Sequence, residues 1–139
     1  KVMRKALLML LFGDCLGKLY YPAVAREKEK GAAKRLHAAY LRHAGQAIEQ
    51  NRPSELYRIL DHAVTDFAEI TEENDNIPVM GVVGEIYLKY NAFSNRHILD
   101  WLADRHIEVV APSMYNFFIN SFVNNHINKK QNIKNVYLG

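Results

Sequence analysis

Pro78-Val79-Met80-Gly81-Val82-Val83-Gly84 is a short, almost wholly apolar run, the pattern of a strand covered on both faces by helices. Ile107-Glu108-Val109-Val110-Ala111 repeats the pattern and is stopped by Pro112. Between the two runs, Ser94 is placed to cap a helix through Ile98, Leu99, Trp101 and Leu102, ending near 104–106. Strand, helix and strand within about 33 residues match the length of one parallel βαβ unit, predicted over about 78–111 and right-handed. Past Pro112, Ser113 or a neighbour starts a further helix with Met114, Phe117, Phe118, Ser121 and Phe122 on one side. The sequence after Asn124 is rich in Asn and Lys, and Val136-Tyr137-Leu138 suits a strand as well as a helix. Two parallel strands alone expose edges, so further strands of a larger sheet, or a partner chain, are expected beside them.

Upstream the period changes from two to 3.6. A first helix is predicted from Val2 to Leu11 or beyond, with Gly13 and Gly17 blurring its end and Pro22 marking a turn. Arg26-Glu27-Lys28-Glu29-Lys30 reads as a solvated charged stretch. Leu36, Tyr40, His43 and Ala47 recur at helical spacing and predict a helix from Ala32 to Gln50, broken by Asn51-Arg52-Pro53. Ser54 then caps a helix whose broad apolar face is Leu56, Ile59, Leu60, Ala63, Val64, Phe67 and Ile70. The polar residues Thr71 to Asn76 are the natural hinge. The chain therefore divides into a helical segment, 1–74, and a partial α/β domain, 77–139.

The 139 residues are 49% apolar and 24% charged, a globular composition with enough chain to bury a core. Net charge is only +3, with 12 basic and 10 acidic residues before Asp75 and 6 and 5 from there on. Neither part has the dense basic face of a nucleic-acid binder. The lone Cys15 excludes an intramolecular disulfide and a cysteine-only metal centre, which suits a cytoplasmic protein, and it reads as a buried, inert thiol. Ala6 to Phe12 is far too short an apolar run to span a membrane. Its basic start faintly suggests a leader, but no cleavage region follows, and a core or amphipathic helix is the better reading. An opening at Lys1 and an end just after an apolar patch look like a piece cut from something longer.

The chemistry-bearing residues gather after the first strand. Gly81-x-x-Gly84-Glu85 lies at its carboxyl end, where ligands of open parallel sheets bind. The two glycines read equally as packing residues or as a cleft floor with Glu85 turned to a ligand or neighbouring domain. They form neither a dinucleotide fingerprint nor a Walker loop, which counts against an isolated nucleotide-binding domain. Glu85, Tyr87, Lys89, Tyr90, Asn91, Ser94 and Asn95 make a polar-aromatic loop running into a helix N-terminus. That loop is either docked on its own sheet or forms a site, Lys89 and free N–H groups being suited to an anion. None of His37, His43, His62, His97, His106 and His126 forms a zincin pair. Packing or surface roles suit them, with His97 nearest the loop. Asp100 and Glu85 are the carboxylates considered for acid–base work, but Asp100 falls mid-helix, away from the strand end.

The segment Gly81-Val82-Val83-Gly84-Glu85-Ile86-Tyr87-Leu88-Lys89-Tyr90-Asn91-Ala92-Phe93-Ser94-Asn95 resembles the "GEIYxKxNPFSN" segment of the 2-hydroxyacyl-CoA dehydratase family. It is more similar still to the large activase-related proteins that fuse dehydratase-like regions to an ATPase activator. The residues 107–112 and Met114-Tyr115-Asn116-Phe117-Phe118 resemble that family's continuation. The strong likeness covers about 40 residues, with Ala92 where the family usually has proline. It implies flavodoxin-like α/β domains in a three-layer arrangement, of which this chain would hold one part. It also implies a parent acting in (R)-2-hydroxyacyl-CoA dehydration, by a ketyl radical started by an ATP-hydrolysing activator. By the same resemblance Gly84, Glu85, Tyr87, Lys89, Asn91, Phe93, Ser94 and Asn95 line or shape an inter-domain cleft. A [4Fe–4S] cluster and ATP belong elsewhere in the parent: with one cysteine and no activator-type glycine loop, this chain would carry no cofactor and no activity alone. Its expected partners are other domains of the parent, a dehydratase or activator subunit, or a second copy through a bare sheet edge; neither nucleic acid nor membrane is expected. The alternative is a scaffold or interaction domain keeping the fold without the chemistry.

Overall fold

In a computed structural model, residues 2–74, 76–84, 91 and 93–116 are described. Three helices come first: α1 (Val2–Arg26), α2 (Ala32–Glu49) and α3 (Glu55–Glu69). They are followed by β1 (Val79–Gly81), α4 (Ile98–Ala103) and β2 (Glu108–Val110). The strands pair in parallel, Val79 with Glu108, Met80 with Val109 and Gly81 with Val110. The architecture is thus mixed α/β, with a small two-stranded parallel sheet.

α1 to α3 share one core in which small side chains bring the helices close. Phe12, Leu16 and Ala23 of α1 meet Ala33, Tyr40, Ala44 and Ala47 of α2, and Leu56, Ala63 and Phe67 of α3. The Tyr40 hydroxyl, at the buried edge, donates to Asp66 Oδ2 at 2.5 Å. A second, smaller core unites Leu102 and Ala103 of α4 with Val109 of β2, backed by Tyr21 and Val24 of α1. Val24 also packs on the first core. α1 is therefore the wall between the two.

Four sequence expectations need correction. Pro22 makes no turn: α1 runs through it to Arg26, giving up only the bond to the Lys18 carbonyl, because Leu16, Ala23 and Ala25 are buried on either side. The apolar run 6–12 is part of this 25-residue helix, which by length and composition alone is apolar enough to cross a membrane. Packing on two cores is a cause for its apolar residues from Phe12 onward, while Val2, Met3 and Leu7 are exposed. The stretch 26–30 is not simply solvated. Arg26 pairs with Glu108 at 2.6 Å, and Lys28 Nζ donates to the Glu69 carbonyl at 2.7 Å. The Glu27 carboxylate accepts the N–H of Gly31 at 2.6 Å and of Ala33 at 2.9 Å, capping α2, whose entry needs Gly31 at φ +87°. Finally, Val79 and Met80 are not covered on both faces: they are 62% and 45% exposed. The strand is also only three residues long, although Val82 N–H still reaches the Val110 carbonyl at 3.0 Å.

Nor does the expected hinge begin freely. Thr71 bridges to Glu27, with Lys28 N–H on the Ile70 carbonyl at 2.9 Å and Glu72 N–H on the Arg26 carbonyl at 3.0 Å. Ser54 stands at the N-cap of α3 as expected, yet its hydroxyl makes no capping bond. Cys15 is half-buried within α1.

The two halves are tied across α1 by polar bonds. Asp14 accepts from the Ser113 hydroxyl at 2.6 Å, the Met114 N–H at 3.0 Å and the Tyr115 N–H at 2.6 Å. It thereby caps the helical turn that opens at Met114 from a different part of the chain. Phe117, Phe118, Ser121 and Phe122 lie outside the described residues. At the other end of α1 the His106 ring nitrogen Nδ1 lies 3.0 Å from the Ala25 carbonyl, an acceptor it meets as the Nδ1–H tautomer.

Asp14→Ala is expected to lower unfolding stability by about 1–2 kcal/mol, the cost of an N-cap, and Ser113→Ala by less, as read from urea midpoints. Gly45→Ala should raise it by about 0.5–1 kcal/mol, since a methyl group there meets nothing within 4 Å.

Candidate functional site

The loop singled out in the sequence is described only at its two ends. Glu85, Tyr87, Lys89 and Tyr90 lie outside the described residues; Gly84, Asn91, Phe93, Ser94 and Asn95 lie within them. Gly84 has φ +151°, a backbone that a Cβ would strain, so its glycine is a conformational need at the exit from the sheet. On the far side, Asn91 Oδ1 accepts the N–H of Phe93 and of Ser94, both at 3.1 Å. Its carbonyl takes the Asn95 N–H at 3.0 Å. Asn91 thus organises a turn over 91–95, and α4 begins beyond it at Ile98 with His97, not Ser94, at its N-cap. Arg96 and His97 take left-handed φ of 52° and 55° on the way. His97 sits at the N-cap, 3.6 Å from the Asp100 carboxylate. Phe93 is 89% exposed.

A second location was not foreseen. α1, α2, α4 and β2 enclose a cleft of about 660 Å³, within the range of ligand pockets. Gly13 and Gly17, four apart on α1, line it, and a methyl group on either would meet nothing within 4 Å. Tyr20 and Tyr21 follow one turn later, their rings edge to face at 5.1 Å. From α2, His37 lies against Tyr20 with centroids 4.5 Å apart, and Lys34, Ala38 and Leu41 continue the wall. α4 adds Leu99 and Asp100, and the exit of β2 adds Ala111, Pro112 and Ser113. The carboxyl end of a parallel strand does border the cavity, but helical residues more than 70 positions upstream make most of its wall.

Burial governs the electrostatics. It pushes the Tyr21 hydroxyl up to about 12, helped by the negative charge of Asp100 and by Tyr20. Tyr20 is raised in the same way, by burial first and then by Asp100, Asp104 and Glu27. Burial lowers His37 against a smaller opposing pull from Asp100, so the imidazole is neutral at pH 7. Asp100, set aside in the sequence as remote from the strand end, lies over this cleft with β2. Adjacent aromatic residues a turn beyond two glycines were the one signal available in advance. No spacing rule joins Tyr20 to His37 and Asp100.

The cluster implied by the family resemblance does not fit these residues. Cys15 is the only cysteine, and the described residues contain no group of three or more His, Cys, Asp or Glu able to hold a metal.

Unfolded His37 takes its proton near 6.5, and the folded one holds it less tightly. The unfolded chain therefore binds more protons between those two values, and stability is lost as pH falls through 6.5 toward the folded value. Urea midpoints followed from pH 7.5 to 5 should show a steeper fall for the wild type than for His37→Phe. Equal slopes would mean that the cleft histidine is not the group that resists charging.

Compared with protein-family models, with curated proteins and with solved structures, the chain matches none.

Proposed function

We propose that this chain is a domain of a larger protein related to the activation or catalysis of (R)-2-hydroxyacyl-CoA dehydration, contributing part of an inter-domain cleft. The observation that carries the reading is the segment 81–95, which resembles the family's signature and leads out of β1 of a parallel β1–α4–β2 unit. Gly84 with its glycine-requiring φ and Asn91 with its three bonds to the following turn support it, because such a segment needs a fixed entry and exit. A flavodoxin-like three-layer sheet would place Glu85, Tyr87, Lys89, Asn91, Ser94 and Asn95 facing a neighbouring domain. In this reading the chain positions and encloses, while the [4Fe–4S] cluster, ATP and the electron come from other parts of the cytoplasmic parent or from a dehydratase or activator subunit.

A scaffold or interaction domain is the second reading. It is favoured by the apolar surface left on the sheet, where Val79, Met80, Val83 and Val110 are all exposed. Iron and sulfide analysis of the full-length protein, purified without oxygen, separates the two. The dehydration reading expects four irons and four sulfides per cluster, which is the cluster's own composition. It also expects ATP- and reductant-dependent loss of water from a 2-hydroxyacyl-CoA. Absence of a cluster after anaerobic reconstitution would sink the electron-transfer reading and leave the scaffold.

A further inference from the structure

The bonds that hold β1 to β2 also fix which main-chain groups of β2 are left over. The Glu108 N–H donates to the Pro78 carbonyl at 2.9 Å, and the Val110 carbonyl accepts from the Val82 N–H at 3.0 Å. In a strand, the N–H and C=O of one residue point to the same side, and the side alternates from residue to residue. Glu108 and Val110 therefore face β1, while Val109 and Ala111 face the other way. The main-chain groups of these two have no partner among the described residues, although Val109 is only 2% exposed. A buried main-chain N–H without a partner is rare and costs about as much as a lost hydrogen bond. This free edge opens onto the cleft between α1, α2, α4 and β2. Residues 108–113 border the cleft in unbroken succession, and those of β1 do not border it at all. A strand edge gives that pattern, whereas a strand face would offer alternate residues only. Across the gap stand Gly13 and Gly17, where a methyl group would meet nothing within 4 Å.

We propose that this cleft receives an extended, uncharged segment of a partner polypeptide, which adds to β2 as a third strand through main-chain bonds to Val109 and Ala111. The spacing fits such an occupant. Val109 and Ala111 are two residues apart, about 6.6 Å along the strand, the repeat at which any extended chain presents its next donor and acceptor. Gly13 and Gly17 are one turn apart, about 6 Å along α1, close to the distance between successive side chains on one strand face. Side chains of the added strand therefore have room over the two glycines. Two strands are the lower limit of a sheet, and a third on this side continues it between helices already in place. Charge does not choose the occupant: Asp14, Asp100 and Glu108 face Lys18 and Lys34, with Arg26 held by Glu108. Selection comes from main-chain complementarity against an apolar wall, which small branched side chains such as valine and threonine suit. The outer edge of β1, at Val79 and Gly81, is exposed and borders neither the cleft nor its glycines. This assignment stands on β2 and α1 and does not rest on the dehydration reading, whose residues are those of the 81–95 segment.

The full chain is titrated with an uncharged hexapeptide of alternating threonine and valine, acetylated and amidated at its ends. A second titration uses the same peptide N-methylated at every residue, which keeps the side chains and removes the main-chain donors. Amide hydrogen exchange read by NMR should show Ala111 open in the chain alone and slowed about tenfold at saturating peptide. The N-methylated peptide should have no effect. Ala111→Pro removes an N–H that bonds to no described residue in the free chain. It should weaken the peptide by about tenfold in calorimetry, with the circular dichroism unchanged. Gly17→Leu, projecting into the cleft, should abolish binding, and if that variant does not fold, Gly13→Leu serves from the same wall. Gly45→Ala, away from the cleft, should change nothing. Equal binding of the two peptides overturns the proposal, as does the absence of any slowing at Ala111 with millimolar peptide. Loss of binding in Gly81→Pro but not in Ala111→Pro would also overturn it, by moving the site to the edge of β1. Slow exchange of Ala111 in the chain alone would do the same, since the chain would then fill this edge itself.

Discussion

One helix has to bury two sides at once. α1 gives Phe12 and Leu16 to the three-helix core and Tyr21 to the smaller core with α4 and β2, while Val24 touches both. A helix with two buried sides carries apolar residues around most of its circumference. That accounts for the apolar residues from Phe12 onward, though not for Val2, Met3 and Leu7, which are exposed, and for the sheet having a helix to rest on at all. Packing alone would let the second core slide, because dispersion and burial are weakly directional. Direction comes from polar bonds at the two ends of the contact: Asp14 to residues 113–115 near the middle of α1, and Arg26 to Glu108 with His106 to the Ala25 carbonyl at its end.

The same constraint explains what could be read from the sequence. α2 and α3 each bury one face, so their periods are clean. The reading Ala32 to Gln50 lies within one residue of the observed helix, and Leu56, Ala63 and Phe67 are buried as expected. α1 has no such stripe, and Pro22 invited an end that packing overrode. Both strands were legible as apolar runs stopped by Gly or Pro, and their parallel pairing followed from the helix-length gap. Their true length was not, because strand ends are set by which carbonyls find partners across the sheet. Ser94 was a sound N-cap candidate on type, but the Asn91 amide three residues earlier takes the N–H groups of Phe93 and Ser94 into a turn of its own, and α4 starts only after it, with His97 at the N-cap.

Site legibility divides in the same way. The glycine at position 84 and the Asn-x-Phe-Ser-Asn turn are local features, and local features survive in a linear reading. The cleft is assembled from α1, α2, α4 and the exit of β2, and none of its residues is unusual among its own neighbours. Tyr20 reads as a helix-face aromatic until His37 is placed against it. Charge is no better guide, since the same wall contains Glu108, which is spent on Arg26, and Lys34, which has no partner among the described residues.

The Asp14 cap also bears on the order of assembly. Tyr40 and Asp66 are separated by 26 residues, but Asp14 and Met114 by 100. By loop-closure entropy alone the longer contact is dearer by about 1 kcal/mol. The α2–α3 hairpin and its buried bond can thus form early from nearby chain. The capping carboxylate waits for α1 and the strand–helix–strand unit to arrive together. Once closed, it joins the first and last described elements, so that opening the smaller core also uncovers one face of the larger. A boundary that looks like a division between helices and sheet is, energetically, where the two are made to fold as one.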